Sequence, residues 1–261
     1  MSGIADYLML LSRLRAYLLI DPLIVLATVV MGTLSLATSF VDRTGRIPHA
    51  IARAWSKMLL AVSGVKVKTE GIEKISLRQS YVIASNHLSL MDTPLVLAYI
   101  PLQFRFLAKR GLFRIPFIGH HLRRAGHIPI PREDPKGSLM AMSQAAKIIR
   151  EYQVSVLLFP EGGRSEDGVL QEFKEGVAYI AIKAGVPVVP VAVSGTREIL
   201  PVGSVHVRPG RAILRVGDPI PTQGLTLHDR GKLTQQVRHR ILDLLQIREQ
   251  NQPVPVKEEH A

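Results

Sequence analysis

Apolar positions along the chain follow two different regimes. From Leu23 to Val41, nineteen residues carry no charge, and Tyr17 to Ile20 extend the run beyond an Asp21-Pro22 break. As a helix this run rises roughly 28 Å, close to the ~30 Å hydrocarbon core of a bilayer. It begins too late and runs too long for a signal peptide, and no small-x-small site ends it. The pattern therefore predicts a hydrophobic helical membrane element. A span and a re-entrant hairpin within one leaflet both fit, because Asp21-Pro22 interrupts the run and Gly32 sits in its middle. Arg13 and Arg15 precede it, and Arg43, Arg46, Arg53 and Lys57 follow. Charge on both flanks gives no orientation and leans toward the one-leaflet form.

After this element the pattern is that of an α/β protein. Pro48 to Val62 predicts a helix with Ile51, Trp55, Met58, Leu59 and Val62 on one side. Short β-rich runs follow at Val65–Val67, Tyr81–Ser85, Phe104–Ala108, His127–Ile130, Val154–Phe159, Val188–Val193 and Ala212–Val216. Helical spacing of three and four joins Leu139, Met142, Ala146 and Ile149, and again Leu233, Val237, Ile241 and Leu244. Gly176 to Ala184 predicts a helix stopped by Gly185. Strands alternating with helices imply a mixed, mostly parallel sheet flanked by helices. The predicted organisation is an anchoring segment over 1–62, an α/β domain over 63–250 and a flexible tail over 251–261.

Composition sharpens this picture. With 33 Lys and Arg against 21 Asp and Glu, the 261 residues carry a formal charge of +12, which calls for an anionic partner. The absence of cysteine excludes disulfides, thiolate metal sites and a thiol nucleophile. There is no dinucleotide fingerprint, Walker lysine, H-E-x-x-H or G-x-S-x-G. His120, His121 and His127 make a poor metal site, since Arg114, Arg123 and Arg124 would repel a cation and no carboxylate is near in sequence. Phe104 to Arg132 holds seven basic and no acidic residues, interleaved with phenylalanines. Beside a hydrophobic anchor this suits anionic lipid better than nucleic acid.

Two polar clusters stand where apolar strands end, the natural place for a site in an α/β sheet. The first is Ser85-Asn86-His87-Leu88-Ser89-Leu90-Met91-Asp92. A histidine accepts a proton near neutral pH, and a carboxylate holds its tautomer and stabilises the imidazolium. On one straight helix His87 and Asp92 would lie about 140° apart, so His87 belongs in the turn and Asp92 in the helix after it. The second cluster is Phe159-Pro160-Glu161-Gly162-Gly163-Arg164-Ser165. Its glycines let a ligand approach backbone, Arg164 can grip phosphate, and Glu161 can accept from a hydroxyl. By themselves a helix cap and a Gly-rich turn account for these clusters equally well.

Taken together, these segments resemble the glycerolipid acyltransferase family, most closely the 1-acylglycerol-3-phosphate acyltransferases. Asn86, His87 and Asp92 match the family's N-H-x-x-x-x-D block. Lys109, Leu112, Pro116, Gly119, Gly126 and Arg132 follow its second block, Phe159 to Ser165 its F-P-E-G-T-R-S block, and Val186 to Val191 its late proline block. The four blocks occur in order over about residues 60–220. Two positions depart: Gly163 replaces a threonine, and Gly111 stands where the family often has glutamate.

The resemblance implies that His87 is a general base oriented by Asp92, activating the free hydroxyl of a lysophospholipid toward an acyl thioester. It assigns acceptor binding to Arg164 with Glu161, Gly162 and Gly163, and added positive charge to Lys109 and Arg132. The implied partners are 1-acylglycerol 3-phosphate, acyl-CoA or acyl carrier protein, and the bilayer; no metal or organic cofactor is called for. Because thioester donors are cytosolic, the expected placement is at the membrane with the catalytic domain on the cytoplasmic face. The alternatives are another lysolipid or glycerol 3-phosphate as acceptor and, in a different class, a non-catalytic membrane-tethered binder of anionic lipid or nucleic acid.

Overall fold

The computed structural model describes Leu18, Ile20, and residues 21–42, 44–115 and 118–250, with side chains described through 245. The predicted tail over 251–261 and the basic residues Arg13, Arg15 and Arg43 lie outside the described residues. In chain order the structure runs α1 (Asp21–Thr38), α2 (Arg46–Val62), β1 (Val65–Glu70), β2 (Val82–Ser85), α3 (Asp92–Tyr99) and β3 (Phe104–Lys109). It continues with α4 (Ile118–Arg124), β4 (Ile128–Ile130), α5 (Pro135–Tyr152), β5 (Ser155–Leu158) and α6 (Gly176–Ala184). The last elements are β6 (Val188–Ser194), α7 (Thr196–Ile199), β7 (Gly210–Val216) and α8 (Arg230–Gln250).

The seven strands form one sheet in the order β1-β7-β6-β2-β5-β3-β4. Only β6 and β7 pair antiparallel; the other neighbours run parallel. Strands covered on both faces lose the apolar–polar alternation and become continuously apolar, as in the fully buried β2 (VIAS) and β6 (VVPVAVS). One face packs Ile83, Leu157, Val191 and Leu214 against α2 and α3. The opposite face packs Val82, Val156, Ala192 and Leu107 against α5, α6 and α8. The carboxyl ends of β2, β5, β3 and β4 therefore share one edge of the sheet, and the first three of the blocks described above lie there.

The amino-terminal helices divide in role. Helix α1 leaves Leu23, Val25, Leu26, Val29, Val30 and Leu34 exposed, whereas a core helix would bury most of such residues. Helix α2 instead seats Leu59 and Leu60 in the core and packs Ala52 and Trp55 against it. Sequence places the domain boundary after residue 62; the structure places α2 within the α/β body. Its amphipathic stripe accounts for this, because Leu59 and Leu60 reach the sheet face that β1 and α3 leave open.

Candidate active site

His87 follows β2 directly, and Asp92 opens α3, as the five-residue spacing requires. The Asp92 Oδ2 lies 2.8 Å from His87 Nδ1 and also accepts from the backbone N–H groups of Leu88 (2.6 Å) and Ser89 (2.8 Å). Asp92 is fully buried, and its side chain is thereby fixed from three directions. With Nδ1 engaged, His87 Nε2 has no partner among the described residues. Asn86 extends β2's order sideways: its amide exchanges two hydrogen bonds with the backbone of Val193 on β6, at 2.7 and 2.9 Å.

The Phe159–Ser165 loop clasps His87. Phe159 stacks on the imidazole with centroids 4.0 Å apart, Glu161 Oε1 accepts from the His87 N–H at 2.6 Å, and the Ser165 N–H donates to the His87 carbonyl at 2.8 Å. The second Glu161 oxygen accepts from the Gln171 N–H at 2.9 Å. Burial pushes the Glu161 carboxyl above the ordinary range, while those two N–H donors pull it back. Both of its oxygens are occupied, so Glu161 braces the loop to His87. Gly162 adopts φ +77°, a region that strains residues with a Cβ. Its carbonyl accepts from Arg132, which brings the second and third blocks together.

Lys109 stands exposed at the end of β3, and Arg164 is half-buried beside Ser165. Among the described residues neither side chain forms a hydrogen bond or ion pair. Gly163 opens onto free space, with nothing within 4 Å of an added Cβ. The candidate serines are engaged elsewhere: Ser85 with the Asn86 carbonyl, Ser89 with Leu200, and Ser165 with Asp167 and Val169. None of their hydroxyls bonds to the His87 imidazole, so no serine–histidine pair forms among the described residues. Among the described residues no three His, Cys, Asp or Glu gather in a way that could hold a metal ion. His121 and His127 do approach, at 6.5 Å between centroids, but the His127 Nδ1 accepts from the Phe106 N–H.

A family model described as Acyltransferase matches residues 66–194, which contain every one of these side chains. The chain is 36% identical over 157 residues to a chloroplastic 1-acyl-sn-glycerol-3-phosphate acyltransferase of Arabidopsis thaliana, covering 60% of this chain and 43% of that one. It is 32% identical over 179 residues to the human 1-acyl-sn-glycerol-3-phosphate acyltransferase alpha, covering 69% and 63%. The crystal structure of the 1-acyl-sn-glycerophosphate acyltransferase PlsC from Thermotoga maritima superposes with a TM-score of 0.77 at 26% identity, covering 93% of this chain and all of that one.

Residues 66–194 are an acyltransferase domain, and the chain resembles the glycerolipid acyltransferases. Its aligned region spans about half the length of the curated relatives, from 43% of the Arabidopsis protein to 63% of the human one. The glycerolipid acyltransferase fold explains why distant blocks converge, since β2 and β5 are sheet neighbours although 74 residues separate His87 from Glu161. Sequence reading had no signal for the backbone clasp on His87 or for the Phe159 stack; both depend on that neighbouring of strands.

Proposed function

We propose that the protein transfers a fatty acyl group from a thioester, acyl-CoA or acyl carrier protein, to the free hydroxyl of 1-acylglycerol 3-phosphate, giving phosphatidic acid. The observation that carries this reading is the His87–Asp92 pair, with one imidazole nitrogen held and the other free. His87 Nε2 takes the proton of the acceptor hydroxyl as its oxygen attacks the thioester carbonyl carbon. The tetrahedral species then collapses, the carbon–sulfur bond breaks, and the proton passes from His87 to the departing sulfur. Asp92 keeps Nδ1 protonated and stabilises the transient imidazolium. Transfer is direct, in keeping with the engagement of Ser85, Ser89 and Ser165 elsewhere.

In this reading the acceptor's phosphate meets Arg164 and Lys109, the free cations at the sheet edge, while Glu161, Gly162 and Gly163 shape the loop that holds it. Arg132 adds charge from the other side of Gly162. No metal or organic cofactor enters the scheme. The exposed apolar side of α1 attaches the enzyme to the bilayer, and the catalytic domain lies on the cytoplasmic face, where thioester donors are made. The names borne by the relatives support lysophosphatidate as acceptor.

The test is thioester-dependent acylation of lysophosphatidate in detergent or liposomes, with phosphatidic acid identified by mass. Substituting His87→Ala is expected to lower kcat roughly 10²–10⁴-fold while leaving the fold intact by circular dichroism. Activity retained in a well-folded His87→Ala protein would overturn the mechanism. Product formed only from another lysolipid or from glycerol 3-phosphate would keep the chemistry and replace the acceptor.

A further inference from the structure

The two faces of the sheet differ in what they offer a ligand. The α1 helix and its exposed apolar side chains lie on the α2–α4 face. On the opposite face, beside α5, α6 and the start of α8, opens a cavity of about 610 Å³ to which α1 contributes nothing. Its walls are apolar, with Leu107, Ile130, Leu139, Met142 and Leu158. Its charged residues are Arg132, Lys174 and Arg230 against one carboxylate, Glu175, so two positive charges are uncompensated. Glu175 is taken up by Arg230 at 2.6 Å, and Lys174 has no ion pair among the described residues.

The cavity adjoins the reacting centre. Phe159, whose ring stacks on His87, is part of its lining. Lys174 is fixed on the loop that clasps His87: its N–H donates to the Pro160 carbonyl at 2.9 Å. Its Nζ and Cε lie 3.0 Å from where a Cβ on Gly162 would stand. An apolar trough with a cationic rim suits a ligand that is part chain and part phosphate.

We propose that this cavity receives the phosphopantetheine arm of the acyl donor. The pantetheine chain lies along the apolar wall, Lys174 at the rim holds its phosphate, and the thioester carbonyl reaches His87 past Phe159. This assignment rests on the acyl-transfer reading and adds to it where the donor binds. The lipid acceptor then approaches from the face that carries α1, and the water-soluble donor from the other. Coenzyme A and acyl carrier protein both present this arm, so the chemistry recognised is common to both.

Steady-state kinetics test the proposal with lysophosphatidate as acceptor and palmitoyl-CoA or palmitoyl-acyl carrier protein as donor. The wild type's kcat/KM on the two donors identifies which source it uses. On that donor Lys174→Glu is expected to raise KM about tenfold, the scale of one charge-assisted hydrogen bond, with the lysophosphatidate KM within about twofold. Lys147→Glu, on the exposed part of α5 outside the cavity, controls for the same loss of net charge and is expected to change neither KM. A rise in the lysophosphatidate KM instead, or no change in either, would overturn the proposal. So would a Met142→Trp protein that shifts acyl-length preference while Lys174→Glu leaves the donor KM alone, because the cavity would then house an acyl chain. If the wild type acylates nothing, the acyl-transfer reading falls separately and calorimetric titration with CoA decides the cavity. Binding that weakens about tenfold in Lys174→Glu supports it; absent or unchanged binding overturns it.

Discussion

Two sets of half-buried histidines occupy this molecule, and their neighbours give them different surroundings. His87 has a carboxylate 2.8 Å from Nδ1 and an aromatic ring against its face. His49, His121 and His127 line a cavity of about 370 Å³ between α1, α2, α4 and β3, and their charged neighbour is Arg105. The Arg105 guanidinium is buried and spends itself on carbonyls, including Thr44 at 2.7 Å. Burial first, and then the Arg105 charge, holds His49 down to about 4 and His127 well below its ordinary value. The Phe106 N–H donates to His127 Nδ1 at 3.0 Å, so that nitrogen carries no proton. His87 faces a carboxylate, whereas burial, joined at His49 and His127 by the Arg105 charge, disfavours the charged form of the other three.

The sharpest way to break this contrast is Asp92→Asn. The three bonds all end on one oxygen, whose place an amide oxygen could take, but the amide carries no negative charge to stabilise the imidazolium, so kcat should fall roughly 10²-fold or more. Unchanged kcat in a folded Asp92→Asn protein would make the pair a structural brace.

Next in size is a pH effect. The folded His49 titrates at about 4 against 6.5 for the free side chain, so the unfolded chain binds more protons between these values and stability falls as pH drops through them. The full loss is roughly 3 kcal/mol, at 1.36 kcal/mol per pKa unit, and His127 adds to it in the same direction. Thermal melts from pH 7 to pH 4 should show a falling Tm, and His49→Gln should flatten the slope. A flat wild-type profile would mean that these imidazoles are more hydrated than their burial implies.

A smaller effect is expected from His127→Leu, which strands the Phe106 N–H without an acceptor. It should cost about 1–3 kcal/mol by denaturant titration and leave kcat unaltered. Smallest is Gly163→Thr. An added Cβ there meets nothing within 4 Å, so stability should stay within about 0.5 kcal/mol and the acceptor KM should be little changed. A large change in that KM would mean that the loop's hydroxyl matters to acceptor recognition.

The strands and helices were legible in the sequence because each rests on local periodicity. Tyr81–Ser85 and Val188–Val193 announce themselves as apolar runs, and Gly185 halts its helix. The placement of His87 in a turn and Asp92 in a helix followed from helical angle alone. What remained invisible rests on pairs far apart in the chain. The two oxygens of Glu161 look free in a sequence, yet backbone N–H groups 74 and 10 residues away occupy them. Lys174 sits within an ordinary Phe-Lys-Glu-Gly stretch and gains its position only when β5 returns beside β2. The seat of α2 in the core likewise depends on a sheet face that no local pattern describes.

Helix α1 is joined to the body along its whole length. Asp21 meets His206 at 2.9 Å, Thr28 accepts from the Trp55 indole at 3.1 Å, Ser35 meets His121 at 3.3 Å, and Arg124 grips Ser39 at 2.7 Å. A greasy helix on a loose tether would let His87 ride at any height. Riveted at both ends, α1 would act as a depth gauge in the proposed membrane-bound form: the level at which His87 waits would be a constant of the fold. In the proposed reaction, lysolipids would then be sorted by how deep in the leaflet their free hydroxyl lies, before any contact reads their chemistry.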